Sequence, residues 1–157
     1  GAPHRPEKRA PVEVFASLCR YLQTRGIAPV LLGTADERAH IDEILAASPG
    51  AIDLCDRTGF GDLADLARGA VGAVGNDTGP MHLVAAVGCP SLVLFTAASD
   101  PRRVRPLGPR VRVLQSVAPD RLDAEAVTGA WEELVALPAG ASNPSRPGIS
   151  IPTARQR

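Results

Sequence analysis

The stretch from Gly75 to Phe95, GNDTGPMHLVAAVGCPSLVLF, decides the fold. Val71 to Gly75 is a short apolar run that stops at a polar turn, Asn76-Asp77-Thr78-Gly79. Small and aliphatic residues from Pro80 to Val87 follow as a helix. Ser91 to Phe95 is then an unbroken apolar run of strand length. A strand, a helix and a second strand with no polar alternation form a βαβ unit whose strands are buried on both faces.

The pattern extends in both directions. Upstream, Val12, Phe15, Leu18, Cys19 and Leu22 recur at helical spacing between Pro11 and Gly26, and Ala28 to Leu32 is a strand ending at Gly33. Asp36 to Ala47 is a helix on Ile41, Ile44 and Leu45, Ile52 to Cys55 a short strand, and Asp62 to Arg68 a short helix. Downstream, Val111 to Leu114 is a strand and Asp123 to Leu137 an amphipathic helix. The fold class is therefore α/β, a Rossmann-like parallel sheet with helices on both faces. Residues 1–137 form the domain, and residues 138–157, rich in Pro, Ser and Arg and without periodicity, are expected to be a flexible tail. The pattern opens on a loop and a helix, so the strand feeding the first βα unit is expected outside this chain, which reads as one piece of something larger. Loss of a mid-sheet strand would leave backbone groups unpaired, with marginal stability or self-association as the consequence.

Composition narrows the function. The 157 residues carry 17 basic and 17 acidic side chains, with 45% hydrophobic and only 3% aromatic residues, so the core must be aliphatic. Balanced charge without a basic stripe argues against nucleic acid as a partner. No apolar run approaches the roughly 20 residues of a membrane span. Cys19, Cys55 and Cys89 are too widely spaced for a disulfide framework or a zinc site and read as reduced core residues, in keeping with a cytoplasmic location. His4, His40 and His82 are likewise too dispersed to suggest a metal.

The chemistry-bearing segment is the turn before the second helix. The carboxyl end of a parallel strand is where α/β folds bind ligands, and a helix N-terminus suits a phosphate. Gly79 permits close approach of a diphosphate, Thr78 can donate its hydroxyl, and His82 shares their face of the first turn. Asp77 would repel a diphosphate, so it is expected to cap the helix or to accept from a sugar hydroxyl. The plainer alternative stays open: Asp-Thr-Gly is also an ordinary N-cap.

These residues resemble a family. Asp77-Thr78-Gly79-Pro80-Met81-His82, with Ala85-Ala86, Gly88, Pro90 and the strand ending at Phe95, is similar to the signature of glycosyltransferase family 9, which contains the ADP-heptose:lipopolysaccharide heptosyltransferases. Ser99-Asp100-Pro101 through Arg105-Pro106-Leu107-Gly108-Pro109, Gly1-Ala2 with Lys8-Arg9-Ala10-Pro11, and Gly33 with Asp36-Glu37 resemble further segments of its C-terminal domain. Three positions depart from the pattern: Ala10 replaces a Trp, Thr34 a Gly, and Thr96 the Gly that usually follows the strand.

The resemblance implies the C-terminal, donor-binding half of an inverting, metal-independent GT-B glycosyltransferase that takes no cofactor. Its substrate would be ADP-heptose or a related nucleotide sugar. The acceptor, the lipopolysaccharide core, would be presented by a missing N-terminal domain that also carries the catalytic base, possible peripheral association with the inner face of the inner membrane following from that role. Carried over by motif, the donor-binding residues are Lys8 at the diphosphate, Glu37 at the ribose hydroxyls, and Asp77, Thr78, Gly79 and His82 along the phosphates and the transferred sugar. No catalytic residue is assignable in this chain. Two other functions fit the same pocket: a non-catalytic nucleotide-binding module and another GT-B enzyme such as a nucleotide-sugar epimerase. The cluster Arg102, Arg103, Arg105, Arg110 and Arg112 suggests either an anionic partner or a solvated loop rim, the latter favoured.

Overall fold

A computed structural model of the chain describes residues 6–116 and 122–136. Along them run α1 (Val12–Thr24), β1 (Val30–Leu31), α2 (Arg38–Ala47), β2 (Ile52–Asp53), α3 (Phe60–Gly69), β3 (Ala73–Asn76), α4 (Gly79–Ala86), β4 (Ser91–Phe95), α5 (Pro101–Val104), β5 (Val111–Gln115) and α6 (Ala124–Ala136). Short 3-10 turns at Pro6–Lys8 and Ala35–Glu37 precede α1 and α2. The expected tail at 138–157 lies outside the described residues.

β4 is the axis of the core. All five of its residues are buried, and it pairs in parallel with β3 on one side and β5 on the other. Its side chains alternate between two layers, as the period of a strand requires. Leu92 and Leu94 join Val14, Leu18 and Leu22 of α1 and Val127, Trp131 and Leu134 of α6. Val93 and Phe95 join Met81 and Ala85 of α4 and Val111 of β5. This is the parallel sheet covered on both faces that the unbroken apolar runs imply. The remaining strands, β1 and β2, pair in parallel with each other and pack with α1 and α2 through Ala16, Cys19, Leu31, Ile41, Ile44 and Cys55. Among the described residues the strands thus form two sets, of two and three, rather than one continuous sheet.

Local signals account for the element ends. α1 closes in a Schellman motif: Gly26, at φ 71, donates to the Gln23 carbonyl and Ile27 to that of Leu22. α4 closes the same way at Gly88, φ 91, with Cys89 donating to Val84. β1 and β2 are shorter than the apolar runs that announce them. α5 is absent from the hydrophobic pattern because it has no buried face; Asp100 caps it by accepting from the Arg102 N–H at 3.0 Å.

Three glycines let elements approach where a side chain would collide. A Cβ on Gly108, in the loop before β5, would stand 2.4 Å from the Ala85 carbonyl oxygen of α4. One on Gly75 of β3 would meet Met81 Sδ at 2.7 Å, and one on Gly72 would meet the Trp131 ring at 2.8 Å. With Pro106 fully buried, the Pro-x-Gly segment therefore seats the C-terminal end of α4. Cys19, Cys55 and Cys89 are free, buried thiols, and burial raises the pKa of each. Among the described residues no helix is long and apolar enough to cross a membrane.

Candidate functional site

The site lies where β3 and β4 end. β3 delivers Asn76, and the chain turns through Asp77 and Thr78 into α4, whose first turn carries Gly79, Pro80, Met81 and His82. Asp77 is held by its N–H, which donates to the Leu94 carbonyl at 3.2 Å. Its side chain does not cap α4. Instead Oδ2 accepts from Lys8 Nζ at 2.6 Å, in an ion pair whose side chains are only 15% and 6% exposed. This corrects the expected capping role. It also removes the electrostatic objection to a carboxylate beside a diphosphate, because Asp77 arrives already paired with a cation.

Thr78 occupies the N-cap position of α4 without a side-chain cap; its hydroxyl donates to the Asn76 carbonyl at 3.3 Å. That long bond is one a phosphate oxygen could displace. The helix N-terminus is narrower than its sequence suggests, because Pro80 has no N–H and the Met81 N–H donates to the Thr78 carbonyl at 3.1 Å. Gly79 remains, exposed, with open space where a Cβ would stand. His82 is exposed on the same turn.

Lys8 reaches this site because its segment is fastened residue by residue. The Glu7 carbonyl accepts from Thr96 Oγ1 at 2.7 Å, Lys8 pairs with Asp77, the Arg9 guanidinium lies 3.5 Å from His40 Nε2 of α2, and the Ala10 N–H donates to Asn76 Oδ1 at 2.9 Å. The departure at Thr96 is thus used structurally. The sequence reading named Asn76 and Thr96 but gave neither a role; their place at the ends of β3 and β4 was the available signal. A second overlooked signal is compositional. Lys8 is the only lysine among the 17 basic residues, the rest being arginine.

Glu37 sits apart, after β1. Its Oε2 accepts from the Thr34 N–H at 3.0 Å and the Thr34 hydroxyl at 3.4 Å, closing a capping box at the entry to α2. Burial opposes its ionisation, but hydrogen bonds, the two from Thr34 among them, hold its pKa below the ordinary value. The structure therefore brings together Lys8, Asp77, Thr78, Gly79 and His82, and places Glu37 at the end of another strand with a structural duty of its own. The arginine cluster separates into different roles. Arg102 pairs with Asp100, Arg110 donates to the Leu134 carbonyl, and Arg112 pairs with Glu133.

Comparison with known proteins gives consistent matches. The family model of glycosyltransferase family 9 (heptosyltransferase) matches residues 1–128. The chain is 31% identical over 122 residues to lipooligosaccharide heptosyltransferase 2 of Haemophilus influenzae and, to the same extent, to lipopolysaccharide heptosyltransferase 2 of Escherichia coli. Each alignment covers 74% of this chain and 35% of the relative, so the chain spans about a third of the length of the curated relatives it matches. Among solved structures it is similar to E. coli ADP-heptose LPS heptosyltransferase II (TM-score 0.76, 26% identity, 83% of this chain and 43% of that one). It is equally similar to an E. coli heptosyltransferase solved with ADP (TM-score 0.76, 26% identity, 83% and 41%). A family 9 glycosyltransferase of Veillonella parvula shares the fold, with a TM-score of 0.77 over 83% of this chain and 43% of that one at 23% identity.

Proposed function

This chain belongs to glycosyltransferase family 9, the heptosyltransferase family, and from that premise we propose that it is the nucleotide-sugar-binding part of an enzyme that transfers a heptose from an ADP-sugar to the lipopolysaccharide core. The observation that carries the proposal is the Lys8–Asp77 pair beside the uncapped start of α4. An ammonium has three donors. One is given to Asp77, and the others would serve the phosphates of a donor.

Transfer to the acceptor leaves a nucleoside diphosphate on which negative charge develops. Lys8, the Thr78 hydroxyl and the Gly79 N–H would stabilise it, each such preorganised donor contributing about 2.7–4 kcal/mol. These groups suit a leaving diphosphate without a metal. His82 would stand toward the transferred sugar, and Glu37 would accept from the ribose diol while keeping its bond to Thr34. We assign the general base that takes the acceptor proton to the rest of the protein, which would work in the cytoplasm, at the inner face of the inner membrane where the acceptor resides.

Calorimetric titration with ADP and UDP in magnesium-free buffer tests the reading. Saturable ADP binding, weakened in Thr78→Ala and Glu37→Ala, is the expected result. Failure of the folded chain to bind either nucleotide would count against a donor site in these residues.

A further inference from the structure

The ammonium of Lys8 stands at the end of a long, flexible side chain, on a segment that belongs to neither sheet nor long helix. Its placement must come from elsewhere. Two hydrogen bonds bracket it. One residue before Lys8, the Glu7 carbonyl accepts from Thr96 Oγ1 at 2.7 Å; two residues after it, the Ala10 N–H donates to Asn76 Oδ1 at 2.9 Å. Both partners stand where strands of the central sheet end, Asn76 as the last residue of β3 and Thr96 immediately after β4. Thr96 is 2% exposed, and its hydroxyl oxygen also accepts from the Ala98 N–H at 3.3 Å, so it is itself fixed.

We infer that Thr96 and Asn76 are positioning residues that lock the Glu7–Ala10 backbone so that Lys8 faces the phosphates of a bound nucleoside diphosphate. The inference rests on the donor-binding reading above. Neither residue need touch the ligand. They act by removing conformational freedom from the segment before binding, so that ordering Lys8 no longer opposes association.

The chemistry of the chain supplies a clean test. Lys8 is the only lysine, so an amine-acylating reagent labels it and the α-amino group alone, and peptide mass spectrometry separates the two. In Thr96→Val, with the hydroxyl gone and the shape kept, Lys8 labelling should accelerate and ADP binding should weaken about three- to tenfold, the loss of one net hydrogen bond. Thr96→Ser should restore both to within about twofold. In the Lys8→Met/Asp77→Asn background, where no charge is stranded, Thr96→Val should change ADP affinity by less than about twofold. A merely structural threonine would weaken ADP in that background too, and this would overturn the inference. So would a folded Thr96→Val chain, with native circular dichroism and Trp131 fluorescence, whose Lys8 labels at the original rate. Should Thr96→Val fail to fold, Asn76→Ala breaks the other bracket and is read by the same two measurements. If the unaltered chain binds no ADP while Thr96→Val still frees Lys8 for labelling, the positioning role stands and the donor-site reading falls.

Discussion

The Lys8–Asp77 pair is both the centre of the proposed site and its most exacting energetic test. At 2.6 Å the Coulomb attraction amounts to about 6 kcal/mol at an effective dielectric near 20, before desolvation is subtracted. The pair is largely withdrawn from water, so what matters is the state left when one partner goes. Lys8→Met strands a carboxylate that is 6% exposed, and removing one member of a buried pair costs about 3–5 kcal/mol. Because the Lys8 side chain is 15% exposed, water can reach the carboxylate once the ammonium is gone, and the lower figure, about 3 kcal/mol, is expected. Asp77→Asn strands the ammonium instead, which can swing toward solvent, and should cost about 1–3 kcal/mol. The double variant strands nothing, so its cost should fall short of the sum of the single costs by at least about 1.5 kcal/mol. Urea unfolding followed by Trp131, the only tryptophan and buried in α6, measures all three. Against a total stability of about 5–15 kcal/mol these are large effects. Single costs that add to within about 0.5 kcal/mol would show that the two charges do not sense each other, and the argument for a preformed site would fail.

Other consequences can be checked separately. His82→Ala, at an exposed position, should leave stability within about 0.5 kcal/mol and yet weaken ADP binding in calorimetry; unchanged affinity would remove His82 from the site. Gly108→Ala drives a methyl into the Ala85 backbone and should cost about 1–3 kcal/mol or more, whereas Gly75→Ala meets the flexible Met81 side chain and should lie near the lower bound; equal costs by thermal unfolding would refute the distinction. Glu37 has a depressed pKa in the folded chain, so its contribution to stability is present above its ordinary value of 4.5 and is lost as pH falls through the lower folded value. Glu37→Gln should therefore flatten the acid limb of stability below about pH 4.5, and an unaltered acid limb would contradict the shift. Lys8→Arg should keep charge and fold but lose ADP affinity, since a guanidinium that clasps Asp77 through its planar fork has fewer donors left to turn outward; an affinity equal to that of the unaltered chain would sink that explanation.

Much of this architecture was legible because β4 is buried on both faces. A strand in that position must be continuously apolar, and SLVLF shows it without help from any neighbour. The ends of β1 and β2 were not legible. Apolar residues at 28–32 and 52–55 extend beyond the two-residue pairings, and apolar character there does not track burial: Leu31 and Cys55 pack with α1 and α2, whereas Ala28, Val30 and Ile52 are exposed. α5 left no periodic trace because its four residues bury nothing, although Asp100-Pro101 carried both the cap and the helix-starting proline. At the site, Thr78, Gly79 and His82 could be placed from their spacing along one helix turn. The contacts 69 and 89 residues apart, Lys8 with Asp77 and Glu7 with Thr96, depend on how the sheet is assembled, and no local pattern encodes them.

That distinction bears on how the site is built. The turn from Asp77 to Gly79 is local, but it presents a carboxylate to the place that the proposed function gives to phosphates. Lys8 corrects the charge, and the correction works only if the ammonium arrives from one direction and leaves its other donors free. Thr96 and Asn76, standing at the ends of adjacent parallel strands, are held in register by the Gly75–Val93 and Asn76–Leu94 pairings. The sheet thus sets the distance between the two hydrogen bonds that bracket Lys8, and the Gly108–Ala85 contact seats the C-terminal end of α4. Charge compensation in the site is therefore a property of the core packing as much as of the motif. Damage to either the β3–β4 register or the seat of α4 should be felt first as lost affinity for a diphosphate, before the fold itself gives way.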